Sequence, residues 1–262
     1  MKKEKKNDRV RAGFWILLVL TFLIYFTVLE LSKNTLLGWG AALVMFVLYT
    51  VLEIKATKKK KAGVRFLAWI GFFATLAVCS LISQPPYKLV PAVDVKNPEK
   101  TGVVSVSEGD LTGVYNEDKS VEVYAGIPYA KPPVGELRWK EPQDPEKWDG
   151  VRVCDHFAPM SMQQRNSELY NSLTAIIGYK NFKISLDDNY RESVSEDSLY
   201  LNVWKPSGDI TNAPVLVFIH GGSLTSGQAS FSEYRGEDLA KKGIIVVNFA
   251  YRLNVFGYMA NE

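Results

Sequence analysis

His220-Gly221-Gly222-Ser223 closes a run of five apolar residues, Val215–Ile219, and is the part of this chain best suited to chemistry. A buried strand ending in two glycines presents backbone N–H groups with no Cβ in the way. Such donors stabilise a negative charge that develops on a carbonyl oxygen when a nucleophile attacks it. Gly222 and Ser223 are the expected donors, with Gly221 supporting the turn. The matching nucleophile motif, G-x-S-x-G, does not occur in the 262 residues. His220 lies in the turn itself and is read as packing beside it, not as a general base. His156, at the start of a polar stretch, reads as a surface residue.

Charge divides the chain. Residues 1–83 carry 13 Lys+Arg against 4 Asp+Glu, and residues 84–262 carry 18 against 24. An acidic C-terminal portion argues against nucleic acid as a partner, since phosphate binding needs clustered basic residues on the folded surface. The basic residues instead flank three apolar segments, 14–31, 36–54 and 66–83, each close to the ~20 residues that span a bilayer as a helix. Six basic residues precede the first segment, six lie in 55–65, and Lys33 alone lies between the first and second. The positive-inside bias then places the N-terminus and the Lys-rich link in the cytoplasm and residues 84–262 outside. The lipid bilayer is one expected partner. Cys79 and Cys154 fall in different regions and are not expected to pair.

Behind the membrane segments, residues 84–102 hold four prolines and read as an extended linker. Residues 103–106, 111–115 and 121–124 are short β-type runs expected to form an antiparallel meander. A helix is expected near 169–177, strands at 200–204, 215–219 and 244–249, and a helix over 232–242 stopped by Gly243. The last two strands with the helix between them make a β-α-β unit and a parallel pair, whose strands are normally buried.

Four stretches then resemble the type-B carboxylesterase family, which includes the cholinesterases. They are Gly126-Ile-Pro-Tyr-Ala-Lys-Pro-Pro-Val-Gly135 with Arg138, Glu196-Asp-Ser-Leu-Tyr-Leu-Asn-Val-Trp204, His220-Gly-Gly-Ser223, and Tyr251-Arg-Leu-Asn-Val-Phe-Gly257. The resemblance covers about 103–262 and implies an α/β fold: the N-terminal part of an α/β-hydrolase, a mixed and mostly parallel sheet with flanking helices, after three transmembrane helices. It implies oxyanion donors at Gly222 and Ser223, a structural ion pair between Arg138 and Glu196, no cofactor and no metal. The family's nucleophile, acid and catalytic His, and the acidic partner of Arg252, belong to a segment beyond this sequence. The small-molecule carboxylic ester is therefore a partner only if the domain is completed, whether by a downstream-encoded remainder or otherwise. Two departures are visible. Ser198 and Ser161 stand where exported members often have a disulfide, and Ala250 stands where Asn commonly precedes Tyr-Arg. A non-catalytic esterase-like binding or adhesion module, or a three-helix membrane protein with a degenerate remnant, are the alternative readings.

Overall fold

A computed structural model of the chain describes residues 2–57, 62–164, 167–177 and 191–259. The chain divides into two compact units, 1–86 with 166–191, and 87–165 with 192–262.

The first unit is helical: α1 (Lys2–Leu31), α2 (Leu36–Leu52), α3 (Ala62–Ile82) and α4 (Glu168–Ile177). Three stretches, Ala12–Leu31, Leu36–Lys55 and Gly63–Ile82, are long and apolar enough to cross a membrane, with mean hydropathies of 2.4, 1.9 and 1.9. Their shared core is largely aromatic. Phe14, Leu18, Phe46, Tyr49, Phe72 and Leu76 are buried together, and Tyr49 stacks on Phe72 with ring centroids 4.3 Å apart. Where α1 turns into α2, polar side chains satisfy the last carbonyls of α3, which a helix leaves without intrahelical donors. Asn34 donates to the Ser80 carbonyl and to Ser83 Oγ, both at 2.8 Å; farther along, within the helices, Tyr25 of α1 donates to the Leu76 carbonyl of α3 at 2.7 Å. Gly38 is required here, because a Cβ would come within 2.2 Å of Ser83 Oγ. The expected helix near 169–177 is α4. It clusters with this helical unit.

The second unit holds two principal sheets. β1 (Val104–Val106), β2 (Gly109–Thr112) and β5 (Val151–Val153) form one, with β1 and β2 antiparallel and β2 and β5 parallel. β3 (Val114–Tyr115), β4 (Val121–Pro128), β8 (Tyr200–Pro206), β9 (Val215–Ile219) and β10 (Ile245–Phe249) form the other, in the order β9-β10-β8-β4-β3. The expected single meander is thus two sheets, with the chain crossing between them at Gly113. A Cβ there would lie 2.3 Å from the Val123 carbonyl, so only glycine permits the crossing. A short parallel pair, β6 (Met160–Ser161) with β7 (Val194–Ser195), completes the unit.

Three other expectations are corrected. Part of the segment read as a linker is ordered into this unit: Ala92 N–H donates to the Asp155 carbonyl and Phe157 N–H to the Val90 carbonyl, each at 2.8 Å, and Val90, Ala92 and Val93 are buried. The helix expected over 232–242 is a 3-10 turn, Ser232–Tyr234, followed by the short α5 (Glu237–Ala240). Gly236 divides them and sits against Val246, where a Cβ would meet the valine side chain at 2.4 Å. Gly243 does end the segment, at φ +90°.

The third correction concerns β9. Its unbroken apolar run predicts a buried strand, whereas the family resemblance leaves its outer edge open in this chain; Val215, Leu216, Val217 and Ile219 are 41–64 % exposed, and β9 is the edge of the sheet. The β9–β10 pairing is parallel, as expected.

Candidate active site

Parallel register builds the site. Val215 pairs level with Ile245 and Ile219 with Phe249, so both strands end at the same height. The residues that follow, His220 and Ala250-Tyr251, therefore leave the sheet side by side. The imidazole of His220 lies on the ring of Tyr251 with centroids 4.4 Å apart, and the Tyr251 hydroxyl donates to the His220 carbonyl at 2.6 Å. Ala250 is buried, receives the Tyr129 hydroxyl on its carbonyl at 2.7 Å and donates to the Tyr200 carbonyl at 3.0 Å.

After His220 the backbone turns through conformations rare for side-chain-bearing residues. Gly222 has φ +132°, Ser223 +53°, Leu224 +61° and Gly227 +114°. The turn folds on the Gly222 carbonyl, which accepts the N–H groups of Thr225 and Ser226 at 3.1 and 3.0 Å. Among the described residues, the N–H groups of Gly222, Ser223 and Leu224 have no acceptor. Three successive donors are therefore uncommitted at the end of a strand.

Other loops hold this turn. Gln163 grips the Gly227 peptide from both sides, accepting its N–H at 3.0 Å and donating to its carbonyl at 2.8 Å. Asn254, at the start of α6 (Asn254–Tyr258), donates from its backbone to the Leu224 carbonyl at 2.8 Å and from its side chain to the Thr225 carbonyl at 2.8 Å. Non-glycine residues rarely adopt backbone angles like those of Ser223 and Leu224, and they persist where surrounding contacts over-determine them. The sequence reading gave neither Gln163 nor Asn254 a role, although Asn254 lies in the Tyr251–Gly257 stretch that carries the resemblance.

His220 is buried and its Nδ1–H donates to the Gly221 carbonyl at 3.0 Å, the tautomer fixed because a carbonyl only accepts. Burial lowers its pKa below the ordinary histidine value and outweighs the Gly221 carbonyl, which raises it. The ring is thus a neutral prop for the turn. His156 is exposed and pairs with Asp155 at 2.7 Å. Cys79 and Cys154 are both free.

Arg138 and Glu196 meet in a two-point fork, Nε to Oε2 at 2.5 Å and Nη2 to Oε1 at 2.6 Å. Glu196 lifts the Arg138 pKa above its ordinary value. The Arg138 side chain is 37 % exposed, so the pair is half-buried and its contribution to stability is smaller than that of a buried pair. Glu196 and Asp197 lie in a bend ahead of β8, not on a strand. Beside them, Ser161 Oγ and Ser198 Oγ are 3.0 Å apart and buried, and Ser161 also donates to the Tyr251 carbonyl at 2.7 Å. Arg252 donates to the Lys140 carbonyl at 2.9 Å. Among the described residues no group of His, Cys, Asp and Glu is arranged to hold a metal.

Residues 100–262 match the family model described as the carboxylesterase family. The chain is 43 % identical over 146 residues to the medium-chain fatty acyl-CoA hydrolase precursor of Anas platyrhynchos, covering 55 % of this chain and 24 % of that protein. It is 31 % identical over 200 residues to the fumonisin B1 esterase of Sphingopyxis macrogoltabida, covering 76 % and 31 %. Among solved structures, a carboxylesterase of Geobacillus stearothermophilus is 40 % identical, with 60 % of this chain and 28 % of that one covered at a TM-score of 0.48. The chain belongs to the carboxylesterase family and has the α/β-hydrolase fold of its members. It spans about a quarter to a third of the length of the curated relatives it matches.

Proposed function

We propose that the second unit is the N-terminal part of a serine carboxylesterase domain that hydrolyses carboxylic esters when the nucleophile-bearing remainder is present. The observation that carries this is the run of uncommitted N–H groups at Gly222, Ser223 and Leu224, held in place by Gln163 and Asn254. Gly222 and Ser223 would receive the oxyanion of a tetrahedral intermediate. Each such donor contributes about 2.7–4 kcal/mol of barrier lowering in hydrolases of this kind. Gly221 would give the turn its entry, and the Arg138–Glu196 fork would hold the loop Gly126–Trp139 against the sheet. The remainder would supply the serine, its His base and the orienting acid, with no cofactor. The names of the relatives, an acyl-CoA hydrolase and an esterase, support this class of reaction.

Purified 262-residue chain should not turn over 4-nitrophenyl acetate above the buffer rate, because donors alone create no nucleophile. Fusing the missing segment of a relative should create activity that is abolished when the elbow serine of that segment is replaced. Turnover by the unfused chain that disappears in Ser223→Ala would show Ser223 to be the nucleophile and would sink this reading.

The three apolar helices would anchor the unit to a bilayer, with the N-terminus and link 55–65 in the cytoplasm and the esterase-like unit outside. The charge bias supports this orientation. Ser107 is exposed, whereas Cys79 and Cys154 are buried. With both native cysteines replaced by Ser, a Ser107→Cys variant should react with a membrane-impermeant maleimide on whole cells. Reaction only after lysis would reverse the topology.

A further inference from the structure

We infer that the end of the helical bundle where α2 hands over to α3 binds the headgroup of an anionic phospholipid, held on its phosphate by the Tyr49 hydroxyl and the Arg65 guanidinium. This inference rests on the membrane reading of the three helices.

Two donors at this end lack acceptors. Tyr49 is buried, its ring fixed between Phe72 and Trp69 at 4.3 and 5.0 Å, and its hydroxyl has no hydrogen-bond partner among the described residues. Arg65, on α3, forms an ion pair with Glu53 through one terminal nitrogen, while its buried Nε has no acceptor among the described residues. The Glu53 N–H bonds the Tyr49 carbonyl one helical turn back, Glu53 pairs with Arg65, and Trp69, one turn beyond Arg65, packs on the Tyr49 ring, so the three groups share one locality. Buried polar groups are ordinarily satisfied, and each exception requires an explanation. What is missing at both positions is an acceptor. Guanidinium cannot accept at all.

The charge of the adjoining sequence gives the acceptor its sign. From Lys55 to Arg65 the sequence holds six basic residues and no acidic one, and Glu53 is the nearest acid. Between Leu52 and the link, α2 widens into a π-helical turn, Glu53–Thr57, a departure often found at functional positions. A phosphodiester offers two acceptor oxygens and a single negative charge, which matches two orphaned donors in a basic setting. Basic pockets between membrane helices are known receivers of anionic headgroups. Glu53 does not oppose this. It engages one nitrogen of Arg65 and so fixes the guanidinium that presents Nε.

The test uses the full chain in neutral detergent, with native mass spectrometry counting retained lipid. Phosphatidylglycerol and phosphatidylcholine of the same acyl chains are offered in equal amounts. One phosphatidylglycerol should be retained roughly ten-fold in preference to phosphatidylcholine, the ratio expected for one charge-assisted contact. Tyr49→Phe keeps the stacked ring and removes the hydroxyl. Arg65→Lys keeps a cation opposite Glu53 and removes Nε. Each should lower phosphatidylglycerol occupancy roughly three- to ten-fold, with phosphatidylcholine retention and helical circular dichroism unchanged. Equal retention of the two lipids, or variants that retain phosphatidylglycerol like the parent, would overturn the site. Displacement of the lipid by excess inorganic phosphate would identify a free anion as the ligand and overturn the lipid assignment. A chain that stays monodisperse without detergent would instead remove the membrane reading, and this inference with it.

Discussion

Gly222→Ala should dismantle the turn at the end of β9, and Gly221→Ala should leave it standing. The two glycines are adjacent and look equivalent in sequence. In the fold they are not. A Cβ on Gly222 would lie 1.8 Å from the Ser226 carbonyl oxygen and 2.5 Å from its carbon, whereas a Cβ on Gly221 meets nothing within 4 Å. The obstacle at Gly222 is backbone, and it cannot rotate aside as a side chain would. The residue also sits at φ +132°, where side-chain-bearing residues are strained by about 1–3 kcal/mol before any clash is counted. Together these place Gly222→Ala at roughly 3–5 kcal/mol, in the tail of single-substitution effects. Gly221→Ala falls within about 0.5 kcal/mol.

The readout is local. Thr225 and Ser226 donate their N–H groups to the Gly222 carbonyl, so their hydrogen exchange reports whether the turn is closed. In Gly222→Ala their protection should fall by about two orders of magnitude or more, following 1.4 kcal/mol per factor of ten. Gly221→Ala should exchange like the parent. Equal protection in the two variants would mean that the turn does not depend on close approach at Gly222. In a fused, active domain the same substitution should lower kcat by about 10²–10³, the effect of losing one oxyanion donor.

This contrast illustrates what the sequence could and could not disclose. A strand followed by His-Gly-Gly was legible, because apolar runs and glycines are local signals. So was the division between Gly222 as donor and Gly221 as support; that backbone excludes a Cβ at 222 and not at 221 was not legible, because it depends on where Ser226 folds back, four residues on. The edge strand shows the same limit. Val215–Ile219 has the unbroken apolar pattern of a buried parallel strand, yet burial depends on a neighbour, and the neighbour is not written in those five residues. Prolines misled in the opposite direction. Their density between 84 and 102 suggested a linker, although Val90, Ala92 and Val93 among them are core residues. Gly236 was read as lying within a helix, but its contact with Val246 comes from the next strand and becomes visible only in three dimensions. Gln163 and Asn254 were overlooked for a related reason: their importance is the backbone they grasp, 64 and 29 residues away.

Ser161→Cys with Ser198→Cys should create a covalent tie where this chain has a hydrogen bond. The two hydroxyl oxygens are 3.0 Å apart, both residues are buried, and 37 positions separate them. Closing a loop of that length removes denatured-state entropy equivalent to about 4 kcal/mol at 25 °C. There is an opposing term. Ser161 Oγ also donates to the Tyr251 carbonyl at 2.7 Å, and a disulfide sulfur cannot donate. Losing that bond costs about 1 kcal/mol, more if the carbonyl finds no water. The entropy term wins, leaving a net gain of about 2–3 kcal/mol. With m near 2 kcal/mol per molar, the urea midpoint of the second unit should rise by about 1 M. The gain should vanish on adding a reductant, which separates the crosslink from any effect of the substitutions themselves. Cys154 lies buried with its thiol pKa pushed up to about 11 by burial, so it should not compete as a thiolate during oxidation. Pulse proteolysis across a urea series, with and without reductant, measures both midpoints on the intact chain. Midpoints that coincide, with free-thiol titration showing the new pair oxidised, would mean that the 37-residue segment is already constrained in the denatured chain. Two reactive thiols after oxidation would mean that the backbone at 161 and 198 cannot bring the sulfurs together.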